Sequence, residues 1–118
     1  MSIRTVASEI WSGIKDLFSS LVEFSVKIIK GVLNFVRDVV DYFKGLLLDP
    51  KKQTPFIVNA EVFSQQIKNA PRVDVGIFEG VYNEDTNTIT DYREISADEL
   101  DEQTKKVLSN NDGIVVLQ

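Results

Sequence analysis

The apolar positions of the first 48 residues recur with the period of an α-helix. When each residue is placed 100° from the last, most large apolar side chains in this stretch fall on one half of the helical wheel. Residues 18 positions apart match, as Ile3, Leu21 and Val39 do, and 18 residues make five turns of an α-helix. The pattern predicts one long amphipathic helix over residues 3–48.

The ends and interruptions of this helix are marked by proline and glycine. Asp49-Pro50 ends it, because the residue before a proline avoids the α region. Gly31 leaves an alternative in which the segment bends into a helical hairpin, although the unbroken phase of the apolar stripe favours one continuous helix. The polar residues that follow predict a linker over 50–55, between a helical part, 1–49, and a second domain, 56–118.

The apolar face of the predicted helix is too large to stay in contact with water. About 46 residues at ~1.5 Å each give a rod of roughly 70 Å. Its apolar half would present on the order of 700 Å², whereas the largest apolar patch of a soluble monomer is about 300–600 Å². We therefore predict an interface with other subunits or with a membrane, formed by Ile10, Trp11, Ile14, Leu17, Phe18, Leu21, Phe24, Ile28, Ile29, Val32, Phe35, Val36, Val39, Phe43 and Leu46.

After Pro55 the pattern changes to that of a small α+β domain. Asn59 is placed to cap a helix that ends before Pro71, although an extended conformation of residues 56–63 is an alternative. The spacing of Ser96 and Glu99 is that of a capping box, which predicts that a second helix begins there. With the strands, the predicted order is β-α-β-β-α-β: strand 56–58, the first helix, a β-hairpin formed by 73–82 and 88–95, the second helix, and a buried strand 114–117.

Charge is distributed unevenly between the two parts. Residues 1–53 carry eight Lys/Arg and six Asp/Glu, whereas residues 54–118 carry five and twelve. The acidic second part would repel phosphate backbones, so we expect no nucleic-acid partner. No apolar run approaches the roughly 20 residues of a membrane span, and early charges such as Arg4 and Glu9 interrupt any signal peptide. Localisation is therefore expected to be cytoplasmic or particle-associated.

Composition argues against an enzyme. The chain contains neither cysteine nor histidine, which excludes thiol and serine–histidine hydrolases and histidine-dependent metal sites. The acidic run 98–102 is interpreted as the favourable first turn of a helix and the acids at 84–91 as a solvated turn, rather than as cation sites. Gly76 and Gly80 lack the Gly-Lys-Ser/Thr of a phosphate loop. We expect no catalytic residues, metal or cofactor.

Two functions are consistent with this pattern. The first is a non-enzymatic structural protein that homo-oligomerises above the dimer, or joins other subunits of a virion or another large particle, through the N-terminal helix. The alternative is a peripheral membrane-binding or membrane-permeabilising protein in which the same helix contacts lipid and Trp11 anchors it. Acids on the polar face would weaken attraction to anionic lipid, which favours assembly. A monomer with the helix folded back on its own sheet is a third arrangement.

Overall fold

The computed structural model describes residues 3–4, 8–21, 23, 25–67, 72–111 and 113–117. Within these residues the chain forms β1 (Ile3–Arg4), α1 (Ser8–Phe18), β2 (Val26–Leu33), a π-helix (Phe35–Val40) that continues into α2 (Asp41–Gly45), β3 (Gln53–Asn59), α3 (Ala60–Gln66), β4 (Gly76–Asn83), β5 (Thr88–Leu100), α4 (Glu102–Asn110) and β6 (Ile114–Leu117). The strands form one sheet in the order β1-β6-β3-β4-β5-β2. Every pair is antiparallel except β2 and β5, which are parallel.

The central strands β3, β4 and β6 are buried on both faces, so successive side chains enter two different cores. Phe56 and Val58 of β3 point to one side, and Ile57 between them points to the other. We name these the α1-side core and the α2-side core. The buried residues of the α1-side core are Ile14, Phe18, Phe56, Val58, Phe63, Phe78, Tyr82, Ile89 and Val116. Those of the α2-side core are Leu33, Phe35, Val39, Phe43, Ile57, Ile77, Val81, Ile95, Leu108, Val115 and Leu117.

Helices α1 and α3 cover the α1-side core through aromatic contacts. The rings of Phe63 and Phe78 are stacked, with centroids 4.0 Å apart and planes 7° from parallel. Phe18 of α1 meets both rings edge-on, at 5.0 Å and 5.7 Å. A side chain at Gly13 would come within 2.8 Å of the Tyr82 hydroxyl, so glycine allows α1 to lie close against β4. Because α1 presents its apolar side to the sheet, that side is not a free surface.

On the opposite face, the π-helix, α2 and α4 cover the α2-side core. Phe35, Val39 and Phe43 succeed one another at intervals of four residues and are all buried, while Leu108 enters from α4. The molecule therefore has three layers, with helices on both faces of a mixed sheet. None of the helices in the described ranges combines the length and the apolar content needed to cross a bilayer, and α1 itself has 11 residues.

The single helix predicted over residues 3–48 is not present in the described part of this stretch, which instead contains α1, β2, the π-helix and α2. The prediction failed at β2 for two reasons. Ile29 and Leu33 are four residues apart, a spacing that puts two side chains on one side of either a helix or a strand, and both pack in the α2-side core. Gly31 has a φ of 108°, which is incompatible with the interior of an α-helix. The alternative of two helices bent at Gly31 is also wrong, because the residues on both sides of it belong to the strand β2.

Two other predicted boundaries are also corrected. The linker predicted over 50–55 overlaps β3, which begins at Gln53 and pairs with β4 along its whole length. The helix predicted to begin at Ser96 begins at Glu102 instead, because β5 continues to Leu100 in register with β2. Competition from the parallel partner strand therefore overrides the local capping signal. The observed cap is Asp101, whose Oδ1 accepts a hydrogen bond from the Thr104 amide across 2.9 Å.

The β-α-β-β-α-β order of the second part is confirmed by β3, α3, β4, β5, α4 and β6. Asn59 caps α3, with its side-chain oxygen accepting from the Glu61 amide across 2.8 Å. The hairpin turn lies at residues 84–87, and the buried final strand is Ile114–Leu117. The two parts that the sequence analysis separates share one sheet, since β2 pairs with β5.

Candidate interaction surface

The residues predicted to form an interface have different positions in the structure. Five are buried: Ile14 and Phe18 in the α1-side core, and Phe35, Val39 and Phe43 in the α2-side core. Six are partly buried against the cores: Ile10, Trp11, Leu17, Leu21, Ile29 and Leu46. Phe24 lies outside the described residues. The remaining three are exposed to solvent: the exposed fraction is 74% for Ile28, 44% for Val32 and 50% for Val36.

Two of these three exposed residues lie on β2, the strand at one edge of the sheet. Val26, on the same strand as Ile28 and Val32, is also exposed, at 38%. Ile29 and Leu33 of the same strand turn to the opposite side and enter the α2-side core. One side of β2 therefore anchors the strand, and the other presents an apolar row to solvent.

The backbone of β2 is hydrogen-bonded along one edge. The Glu94 amide donates to the Ser25 carbonyl oxygen across 2.9 Å, and Val26 is in register with Glu94. In a parallel ladder this places the β5-facing peptide groups on Lys27 and Ile29, so those of Val26 and Ile28 face away from β5. Among the described residues, β5 is the only strand that pairs with β2. An edge with free peptide groups is a template on which another strand can form.

The free edge ends where Arg37 and a bulge close it. The ladder is irregular between Ile29 and Val32, and within that interval the Gly31 amide donates to the Asp98 carboxylate across 2.9 Å. Arg37 Nη2 donates to the Val32 carbonyl oxygen, also across 2.9 Å. The accessible edge is therefore the short stretch from Val26 to the bulge.

Asp38 holds Arg37 in this position. The two side chains form an ion pair of 2.8 Å, and Asp38 also accepts from the Asn34 amide across 2.7 Å. Burial acts to raise the pKa of Asp38, but the bonds from Arg37 and from the Asn34 peptide outweigh it and hold that pKa below its ordinary value. Asp38 therefore stays charged and fixes the guanidinium that closes the edge.

The charge of β2 differs in sign from that of the whole chain. Lys27 and Lys30 are exposed on the strand, whereas the chain has a net charge of −5. The ion pairs found in the described parts of the chain do not include either lysine. The open edge is thus a small basic and apolar strip on an acidic protein.

A second polar feature, the pair formed by Glu79 and Arg93, is enclosed on the α2 side of the sheet. Arg93 Nε lies 2.5 Å from Glu79 Oε1, and the guanidinium lies 3.9 Å above the ring of Tyr42. Tyr42 in turn donates to the Asp91 carbonyl oxygen across 2.9 Å. Burial raises the pKa of Glu79 to about 7 against the opposing effect of Arg93. This is a packed ion pair rather than an open acid–base site.

A second buried carboxyl, that of Glu94, lies beside β2. It is 1% exposed, and neither of its oxygens has a hydrogen-bond partner among the described residues. Burial raises its pKa to about 7. Its neighbour across the ladder is Val26 of β2. The buried carboxyl therefore lies on the strand next to the exposed edge strand.

Two cavities open at the surface of the described part of the chain. One of about 350 Å³ is lined by residues that include Asn59, Lys105 and Ser109, and another of about 300 Å³ is mainly apolar, with Phe43 and Leu117 in its wall. Glu79 and Glu94 line neither of them.

Two of the acids considered as cation ligands, Asp98 and Asp101, have structural roles. Asp98 accepts from Gly31, and Asp101 caps α4 and accepts from the Phe35 amide across 3.0 Å. Within the described ranges, no group of three or more acidic side chains is arranged to hold a metal ion. Gly76 and Gly80 lie within β4, in extended chain rather than in a phosphate-binding loop.

Sequence reasoning missed the open edge because it assigned β2 to a helix. The signal that could have found it is the composition of Val26–Leu33, which contains four β-branched residues, two lysines and one glycine. Comparison with known proteins adds no relative from which a role could be transferred: no family model, no curated protein and no solved structure matches this chain.

Proposed function

We propose that this protein is a non-enzymatic assembly protein that associates with copies of itself or with other subunits through the open edge of β2. The observation that carries the proposal is the combination, on one strand, of outward peptide groups at Val26 and Ile28 with an Ile28 side chain that is 74% exposed. A strand added there would satisfy those peptide groups and remove Ile28 from water.

The edge can contribute a few kcal/mol to the free energy of association. Full burial of one large aliphatic side chain is worth about 1.5–3 kcal/mol. Each backbone hydrogen bond adds about 0.5–1.5 kcal/mol net. The free energy from a few such bonds and from burial of Ile28 is that of one contact among several in an assembly.

The interface proposed here replaces the helix face from which the sequence analysis argued. The apolar residues of α1 contact the sheet, and Phe35, Val39 and Phe43 are buried beneath the π-helix and α2. The membrane-binding alternative requires a helix with its apolar face exposed, so the packing of these helices supports assembly over lipid binding.

The positions of Glu79 and Glu94, the two acids whose pKa values burial raises, argue against a catalytic role for either. Glu79 is paired with Arg93, whose guanidinium lies over the Tyr42 ring, and Glu94 is buried on β5 beside β2. A substrate in either described cavity would contact neither of these two carboxyls. A general acid or base has to reach the reacting group within hydrogen-bond distance.

Size-exclusion chromatography with light scattering tests the proposal. The chain of residues 1–118 is examined purified, in an extract of its source cells, and with liposomes, beside the variants Ile28→Asp and Thr90→Asp. Thr90 is exposed on β5, away from the β2 edge, and serves as the matched control. We expect the wild type and the Thr90 variant to run well above the 13.3 kDa monomer, either alone or in the extract, and the Ile28 variant to run as a monomer.

Two results would overturn the proposal. One is a wild-type protein that stays monomeric under all conditions, and the other is an Ile28→Asp variant that keeps the full mass of its assembly. Flotation with liposomes without any assembly would favour the membrane alternative.

A further inference from the structure

We propose that the strand accepted by the edge of β2 is an extended acidic segment of another protein, rather than β2 of a second copy. This inference rests on the proposed function, since it names the partner of the same edge. It depends on the position of the two exposed lysines of β2 relative to its outward peptide groups.

A second copy would bring like charges together. Outward peptide groups at Val26 and Ile28 favour an antiparallel two-fold pairing centred on Ile28, in which Lys27 faces Ile29 of the other copy. The two Lys27 side chains then become diagonal neighbours on one face, about 7–8 Å apart. This is shorter than the ~10 Å Debye length at 0.1 M salt, so the two charges repel each other. Lysines on an edge strand are a common means of preventing such self-pairing.

An acidic strand meets the same edge without repulsion. A carboxylate opposite Lys27 would lie on the side of the sheet where that lysine projects, since Lys27 is in register with Ile95 of the α2-side core. The charge of Lys27 acts to lower the pKa values of Asp38 and Glu79, but Lys27 forms no ion pair with any described residue. The lysine is therefore available for a partner from outside the chain.

The other face of the added strand has to be apolar. Val26 and Ile28 project to the side opposite Ile29, and both are exposed. Because side chains alternate along a strand, the best partner sequence alternates acidic residues with β-branched apolar ones. The bulge at Gly31 and the Arg37–Val32 bond limit its length to a few residues.

Peptide binding tests this inference. The probes are two fluorescein-labelled octapeptides, one of alternating Val and Glu and one of alternating Val and Lys. Each is titrated with the chain of residues 1–118 and followed by fluorescence anisotropy. We expect the acidic peptide to bind at least about tenfold more tightly than the basic one, because each cross-strand pair changes from attraction to repulsion. We also expect binding to weaken as salt is raised.

Charge-reversed and backbone variants complete the test. Lys27→Glu with Lys30→Glu should reverse the preference between the two peptides, and both lysines are exposed, so the fold should tolerate the change. Ile28→Pro removes an outward amide without removing a bond to β5, and proline is tolerated at such edge positions. It should abolish binding of both peptides, whereas Ile28→Thr, which keeps the amide, should retain the preference for the acidic peptide. Circular dichroism confirms that each variant is folded.

The outcomes separate this inference from the proposed function. Absence of binding, equal binding of the two peptides, or binding of vesicles in their place would overturn the acidic-strand proposal. Dimerisation of the wild type that Ile28→Pro abolishes would overturn it too, but would leave assembly through β2 intact. Tight peptide binding by Ile28→Pro would show that the peptide does not use this edge.

Discussion

The carboxylate of Asp101 accepts a hydrogen bond from the amide of Phe35 across 3.0 Å. A single residue separates β2 from Phe35, which begins the π-helix, and Asp101 is the cap residue between β5 and α4. The ends of two parallel strands are therefore tied together by one side chain. The same carboxylate caps α4 through Thr104, so it fixes the position of β2 and the start of two helices.

Replacement of Asp101 should cost more stability than replacement of its neighbour Asp98. Asp101→Ala loses the cap of α4 and the bond to Phe35, which together amount to about 2 kcal/mol. Asp98 is exposed and accepts one bond, from Gly31, so Asp98→Ala should cost about 1 kcal/mol or less. Urea unfolding followed by circular dichroism measures both, and equal losses for the two variants would contradict the assigned role of Asp101.

The buried apolar residues of the predicted interface should behave as core residues. Phe43→Ala creates a cavity in the α2-side core and should lower the free energy of unfolding by about 3–5 kcal/mol. Ile28→Ala changes an exposed side chain and should alter the free energy by about 0.5 kcal/mol or less in the isolated protein. Thermal and urea unfolding of both variants provide the comparison, and a mild effect at Phe43 would argue that this residue is not in the core.

Stability should pass through a maximum at weakly acidic pH. The pKa values of Glu79 and Glu94 are about 7 in the folded protein, against 4.5 for an ordinary glutamate. Between these values the folded state binds more protons than the unfolded state, so the free energy of unfolding falls as pH rises through this window. The pKa values of Asp38 and Asp101 lie below their ordinary value of 3.8, so their contribution is lost as pH falls through their folded-state values.

Glu94→Gln tests this pH dependence directly. The variant removes a buried charge that has no partner among the described residues, and at pH 8 it should be more stable than the wild type by about 1–2 kcal/mol. At pH 5, where Glu94 of the wild type is largely protonated in the folded protein, the two should differ little. Glu84→Gln, in the exposed hairpin turn, is the control and should change nothing at either pH. A gain at pH 8 that equals the gain at pH 5 would refute the explanation.

Arg93 should contribute most to the stability of the protein when Glu79 is charged. Arg93→Leu leaves the Glu79 carboxylate buried without its partner, which should cost about 3–5 kcal/mol at pH 8 and less at pH 5. Combining Arg93→Leu with Glu79→Gln should recover part of the loss at pH 8. Tyr42→Phe keeps the ring beneath the guanidinium and removes only the bond to Asp91, for about 1 kcal/mol. Unfolding at the two pH values measures each variant, and a pH-independent loss would argue against ionisation of Glu79.

The second part of the chain was predictable because its signals are local. Asn59 caps α3 through the adjacent turn, and residues 83–87 contain the polar residues that a hairpin turn requires. Ile114–Leu117 is an uninterrupted apolar run, which is typical of a strand buried on both faces.

The first part was not predictable because its structure depends on residues far along the chain. The spacing of Ile29 and Leu33 fits a helix as well as a strand, and only the pairing of β2 with β5 decides between them. That same pairing extends β5 past Ser96 and moves the start of α4 to Glu102, against a clear local capping signal. The interaction surface was missed with it, since the edge of a strand has no counterpart in a helix.

Amide hydrogen exchange at β2 tests the account most directly. In the isolated protein, the outward amide of Ile28 should exchange rapidly while the β5-facing amide of Ile29 is protected. Saturation with the Val-Glu octapeptide should slow exchange at Ile28 by at least about tenfold and leave Ile29 nearly unchanged. An Ile28 amide that is already protected in the isolated monomer, or one whose exchange the bound peptide does not slow, would contradict the account.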